Sequence, residues 1–209
     1  AGTASPNNSY AAVGTDYQNN DPVCAVVDCV ISNNIAQWKC VGGPAYYIRC
    51  RMTENTGLSW NSGVEGAWLY NCFAKDNPGT YFVMSPKDFV NCTFLSGANV
   101  RNPNVYANLR NSVIYALTGC TVYNCVYGSC DAATSNTESS RQVDFSTLTF
   151  DEEGRCTAEV LRDFGLNEYL DPVPEEFRGV DRDGVQRVYN GAVDVGAYEY
   201  DKRGDFAAD

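Results

Sequence analysis

Two groups of residues in this chain could do chemistry: ten cysteines, and carboxylates that thicken toward the C-terminus. Cysteines can pair, hold a metal or act as nucleophiles. There is no CxxC pair and no histidine, so the common zinc sets and a Cys–His couple are absent from the sequence. Among the acids, Asp181 and Asp183 in "DRDG" stand at i and i+2 before a glycine, as at the start of a calcium loop. Residues 185–192 ("VQRVYNGA") supply none of the further loop ligands. The preferred reading is a turn whose acids cap backbone amides, with Arg187 meeting Asp183 or Asp194. Calcium at Asp181 and Asp183 is the alternative, and otherwise no cofactor is expected.

The cysteines follow a period, which points to what positions them. Cys29, Cys50, Cys72, Cys92 and then Ser112 are spaced 21, 22, 20 and 20 residues apart. Three before each anchor stand Val26, Tyr47, Leu69, Phe89 and Leu109; two after stand Ile31, Met52, Ala74, Phe94 and Ile114. All are apolar. One before stand Asp28, Arg49, Asn71, Asn91 and Asn111, all polar; five after stand Asn34, Asn55, Asn77, Gly97 and Leu117. A second apolar column holds Trp38, Trp60 and Phe82. A period near 20 with short strand-like pieces predicts an all-β, parallel β-helix of about five to six coils. Equivalent strands then stack about 4.8 Å apart, and each column faces one way.

In such a narrow interior the anchor must be small and apolar, which suits a reduced, buried cysteine. Ser112 shows that the thiol is dispensable at one level. Apolar residues at −3, 0 and +2 break strict alternation, so a bend is predicted at −1, where Asn tolerates left-handed φ. Stacked Asn71, Asn91 and Asn111 are expected to hydrogen-bond from level to level. Asn124-Cys125 falls only 13 residues after Asn111-Ser112. Either a coil is truncated there or Cys125 lies on another face. Any disulfide is expected near the coil ends, among Cys24, Cys29, Cys120, Cys125 and Cys130.

Residues 1–130 are thus assigned to the coils, and 131–209 to a polar excursion, one short helix and a closing hairpin on the same solenoid. The helical pattern lies in "TAEVLRDFGL" (157–166), and "LDPVPEEFRG" (170–179) reads as an extended link. The hairpin runs through "VQRVY", an Asn190-Gly191 turn and "AVDVGAYEY", and is expected to cover the last coil.

The net charge is −11. Residues 151–209 hold 16 acids against 7 bases, so −9 of it lies there. Phosphate backbones are repelled by such a chain, so nucleic acid is not expected as a partner. No run of 18 apolar residues exists to span a membrane. "AGTASPNNSY" lacks the charged end and apolar block of a signal peptide, and reads as the interior of a longer chain or a mature terminus. The outward acids of the coils, Asp28, Glu54, Glu65, Asp76 and Asp88, share no column, so no paired-carboxylate machinery is visible.

"YNCFAKDN", "VNCTFLSG" and "RNSVIYA" resemble the repeats of right-handed β-helix surface proteins of bacteria, of the polymorphic outer-membrane-protein and variable C-terminal anchor types. "RGVDRDGVQRVYNGAVDVGAYEYD" (178–201) resembles their closing motif. That family's usual C-terminal anchor does not follow; the sequence continues only to "DKRGDFAAD". The resemblance implies a noncatalytic secreted or cell-surface module: a stalk, an adhesin or an assembly subunit. Its partners would be glycans, other surface proteins, or copies of itself through coil stacking. A polysaccharide lyase or hydrolase with its active face outside this chain is the alternative.

Overall fold

The computed structural model describes residues 13–14, 24–36, 41–42, 45–57, 61–78, 81–84, 86–101, 108–189 and 191–200. The described residues form a β-solenoid of parallel strands, with one four-residue α-helix, Glu175–Arg178, and short 3₁₀ turns. Its first face stacks Cys24–Val27, Ala45–Ile48, Trp68–Tyr70, Asp88–Val90, Asn108–Arg110 and Thr121–Tyr123. The second stacks Val30–Ser32, Arg51–Thr53, Phe73–Lys75, Thr93–Phe94, the start of Val113–Thr118, Val126–Cys130 and Arg141–Gln142. The third stacks Val13–Gly14, Val41–Gly42, Asn61–Glu65, Tyr81–Met84, Val100–Arg101 and the end of Val113–Thr118.

Register follows the sequence columns. Val26, Tyr47, Leu69, Phe89, Leu109 and Val122 pair in succession on the first face. Ile31, Met52, Ala74, Phe94, Ile114 and Tyr127 do so on the second. From Tyr47 onward the first column is fully buried, and Phe89 packs edge-on against Phe94 with centroids 4.8 Å apart. Phe82 is buried in the same core; Trp38 and Trp60 lie outside the described residues.

The −1 column turns the corner between faces one and two. Asp28, Arg49, Asn71, Asn91, Asn111 and Asn124 all have φ between 48° and 54°. Left-handed φ costs a residue with a Cβ about 1–2 kcal/mol. At Arg49 a two-pronged bond to Asp28 (2.7 and 2.6 Å) offsets it. A second corner, between faces two and three, is made by Asn33, Glu54, Asp76 and Gly97, also at positive φ. At Gly97 a Cβ would meet the backbone of Asn77 at 3.0 Å, so only glycine fits.

The expected ladder through Asn71, Asn91 and Asn111 is not formed. The asparagine ladder lies at +5 instead: the Asn34 and Asn55 side-chain amides each donate to the next Oδ1, at 2.9 and 3.0 Å. Asn55 and Asn77 also donate to the carbonyls of Ile31 and Met52, one level back. This satisfies backbone acceptors where the corner interrupts sheet pairing.

Cys125 stays in the anchor column, because its coil is shortened. Val113–Thr118 runs through two faces without the turn that the preceding coil makes at residues 95–99: Val113 and Ile114 pair with Thr93 and Phe94, Leu117 and Thr118 with Val100 and Arg101.

The described residues beyond 142 wrap the outside of the coils. Val173 and Phe177 cover an outward apolar stripe of Val27, Ile48, Tyr70 and Val90 on face one. Leu161, Val195, Phe145, Phe150 and Phe164 cover Val113 and Val126 on face two. Two sequence expectations change here. "TAEVLRDFGL" forms only a 3₁₀ turn, Glu159–Leu161, whereas the α-helix lies in the supposed extended link. Pro174 fixes φ at the helix entrance, and Glu175 and Glu176 favour its N-terminal dipole. The antiparallel pairing near Gly191 is limited to Val188–Tyr189 with Ala192–Val193.

Candidate functional site

The anchor column carries more than apolar bulk. The thiols of Cys50, Cys72, Cys92 and Cys125 donate to the carbonyls of Val26, Tyr47, Leu69 and Leu109, one level back, at 3.2–3.4 Å. The anchors also accept: Cys92 Sγ from the Cys72 amide, Ser112 Oγ from the Cys92 amide, and Ser140 Oγ from the Cys125 amide. Ser140 is therefore a further anchor that spacing alone did not reveal. The nine described cysteines are free thiols. Burial lifts the Cys72 thiol well above its ordinary value and pushes Cys125 up to about 12, so neither offers a thiolate. Cys29 departs from the expectation: it is exposed, because its flanking strands end their sheets and no described level stacks beyond it.

The C-terminal acids gather at the corner between faces one and two. Arg187 is fully buried and meets neither Asp183 nor Asp194 as expected; its carboxyl partner is Glu199, at 3.3 Å. The same guanidinium donates to Asn71 Oδ1 (2.7 Å) and to the carbonyls of Gly196 and Ala197. Asp183 is held instead by Arg155 at 2.7 Å. Asp194 accepts the amides of Asp163 and Tyr200, both at 2.6 Å. Asp181 accepts three amides, from Asp183, Val185 and Glu199, each at 2.8 Å. Burial raises Asp181 and Asp194 and pushes Glu199 up to about 8, with Arg187 pulling the other way in each case.

This node pins the closing segment along the flank of the stack, not across its end. Gly196 donates to the Asn111 carbonyl and Ala197 to Thr93 Oγ1. The −1 asparagines reach outward to the same wrapping chain. Asn71 donates to Val180, Asn124 to Phe164, and Asn111 both donates to and accepts from Leu166. Asn91 does neither, and both polar atoms of its buried side chain are without a partner. Thr93 and Asn124 were missed in the sequence because their partners lie 104 and 40 residues away, whereas Glu199 was missed although Arg187 is only 12 residues from it.

Chemical capacity is low among the described residues. Asp181 is saturated by amides, and no group of three or more His, Cys, Asp or Glu is placed to hold a metal. Asp28 pairs with Arg49, Asp76 with Lys75, and Asp88 with Arg110. The Glu65 side chain lies outside the described residues. A cleft beside Cys156, Arg162, Asp194 and Glu199 has a volume of about 20 Å³, room for a water and not for a sugar ring. Among the described residues, no helix is long and apolar enough to cross a membrane. No protein-family model matches the chain, and no curated protein or solved structure matches it.

Proposed function

We propose that this chain is a noncatalytic module of a secreted or cell-surface protein: a right-handed solenoid of about five to six coils, its closing hairpin clasped along one flank, that acts as a rigid spacer and display surface. The observation that carries the reading is where the polar groups go. Arg187, Glu199, Asp181, Asp194 and the anchor thiols are all engaged with backbone atoms of the chain itself. Catalysis needs such groups aimed at open space, with their partners supplied by substrate. The resemblance of "VNCTFLSG" and "VDVGAYEY" to bacterial surface β-helices supports the same reading.

The test is a screen on neutral and acidic polysaccharides, with and without calcium, read as release of reducing or unsaturated ends. A blank result is expected throughout. Reproducible release that survives further purification would contradict a noncatalytic module.

A further inference from the structure

We infer that the outward surface of face one carries a binding site for a neutral, extended glycan, built on Tyr46 and Trp68. These two residues occupy one outward column, paired in register on neighbouring strands. Their rings meet edge to face with centroids 5.6 Å apart, and both side chains stay partly exposed. Along the same column Trp68 pairs with Asp88, and the pairing of Phe89 with Leu109 places Asn108 next. Levels rise about 4.8 Å each, so the four residues span about 14 Å along the axis. That is a linear site with two aromatic rings at one end and hydrogen-bonding groups at the other.

A wall stands on one side of the column, where Arg110 pairs with Val90 in the stripe that Val173 and Phe177 cover. Asp88 points outward and is 9 % exposed. It accepts from Arg110 at 2.6 Å, and the Arg110 guanidinium lies 6.0 Å from the Tyr169 ring centroid. The wrapping chain, through Val173 and Phe177, banks the apolar stripe next to the aromatic pair. Aromatic faces with a few fixed polar groups suit pyranose rings, which present C–H patches and hydroxyls together. The Asp88–Arg110 pair offers both an acceptor and a donor with no net charge. Acid and base balance at this end of the column, which suits a neutral glycan over a polyanion.

This site deepens the surface-module reading and rests on it. Affinity electrophoresis through hydroxyethyl cellulose, xylan, glucomannan and polygalacturonate tests it on the full chain. At least one neutral polysaccharide is expected to retard the wild type. Trp68→Ala should weaken retardation tenfold or more, Trp68→Phe should keep most of it, and Asn108→Ala should weaken it severalfold. If Trp68→Ala melts early, Asn108→Ala and Tyr46→Phe carry the comparison, with Tyr46→Phe close to wild type. Failure of every neutral polysaccharide to retard the wild type overturns the site. So does retardation by polygalacturonate alone, or retardation indifferent to both Trp68→Ala and Asn108→Ala. Release of reducing ends would overturn the noncatalytic reading instead, while retardation lost in Trp68→Ala would still support the site.

Discussion

At the scale of single residues, the −1 asparagines separate conformation from bonding. Asn91 and Asn111 share left-handed φ, 51° and 48°. Asn111 holds Leu166 with two hydrogen bonds, while Asn91 holds nothing. Glycine accepts the backbone at both positions. Asn111→Gly should therefore cost about 2 kcal/mol more than Asn91→Gly, at about 1 kcal/mol per bond, in urea denaturation. Equal costs would mean that the bonds to the wrapping chain contribute nothing. The anchor column supplies a second contrast. Serine already serves at positions 112 and 140, so Cys72→Ser should cost about 1 kcal/mol. Cys72→Val loses the bond to Tyr47 and overpacks a narrow core, at about 1–3 kcal/mol for the packing alone. The left-handed corner was legible because Asn recurs there beside an apolar frame. That its side chains point outward to residues 164–180 was not, since only the fold brings those segments together.

At the scale of elements, face one and face two were legible, and the Asn and Gly of the +5 column marked the place of the second corner but, Gly97 apart, not the residues that turn it. The apolar columns repeat at every level, so their register follows from period alone. The second corner uses Asn33, Glu54, Asp76 and glycine, a set with no shared chemistry beyond tolerance of positive φ. The helix was misplaced because "TAEVLRDFGL" spends its apolar residues on covering face two, while Pro174 starts a helix that lays Phe177 over face one. The closing segment carries a pH dependence whose sign is fixed by burial. Glu199 sits at about 8 in the fold against an ordinary 4.5, so the folded state keeps a proton that the unfolded chain releases. Stability from this group is full below about pH 4.5 and is lost as pH rises toward 8. Asp181 and Asp194, also raised, add in the same direction. Thermal melts from pH 5 to 9 should fall across that window. Glu199→Gln should match the wild type near pH 5 and show a flatter fall. A wild-type melting temperature that climbs from pH 5 to 8 would contradict this arrangement.

At the scale of the whole molecule, the solenoid and its wrapping chain share the apolar layers outside faces one and two, and one buried charged node joins them. The acidity of the C-terminal part is partly internal: Asp181, Asp194 and Glu199 are buried, and their oxygens hold backbone amides. We propose that these groups hold the fold together through their own hydrogen bonds, without a bound metal. The most direct measurement is the thermal melt of wild type and Arg187→Ala, each with calcium and with chelator. Removing Arg187 leaves a cavity and strands the acceptors of Asn71, Gly196 and Ala197. A loss of about 3–5 kcal/mol is expected from stranding these three buried acceptors, at about 1–3 kcal/mol each. At about 2–4 °C per kcal/mol in a domain of this size, the melting temperature should drop by roughly 10 °C. Calcium and chelator should leave both proteins unchanged. An Arg187→Ala melt equal to wild type, with a rise of several degrees on adding calcium, would contradict the claim and make Asp181 and Asp183 metal ligands.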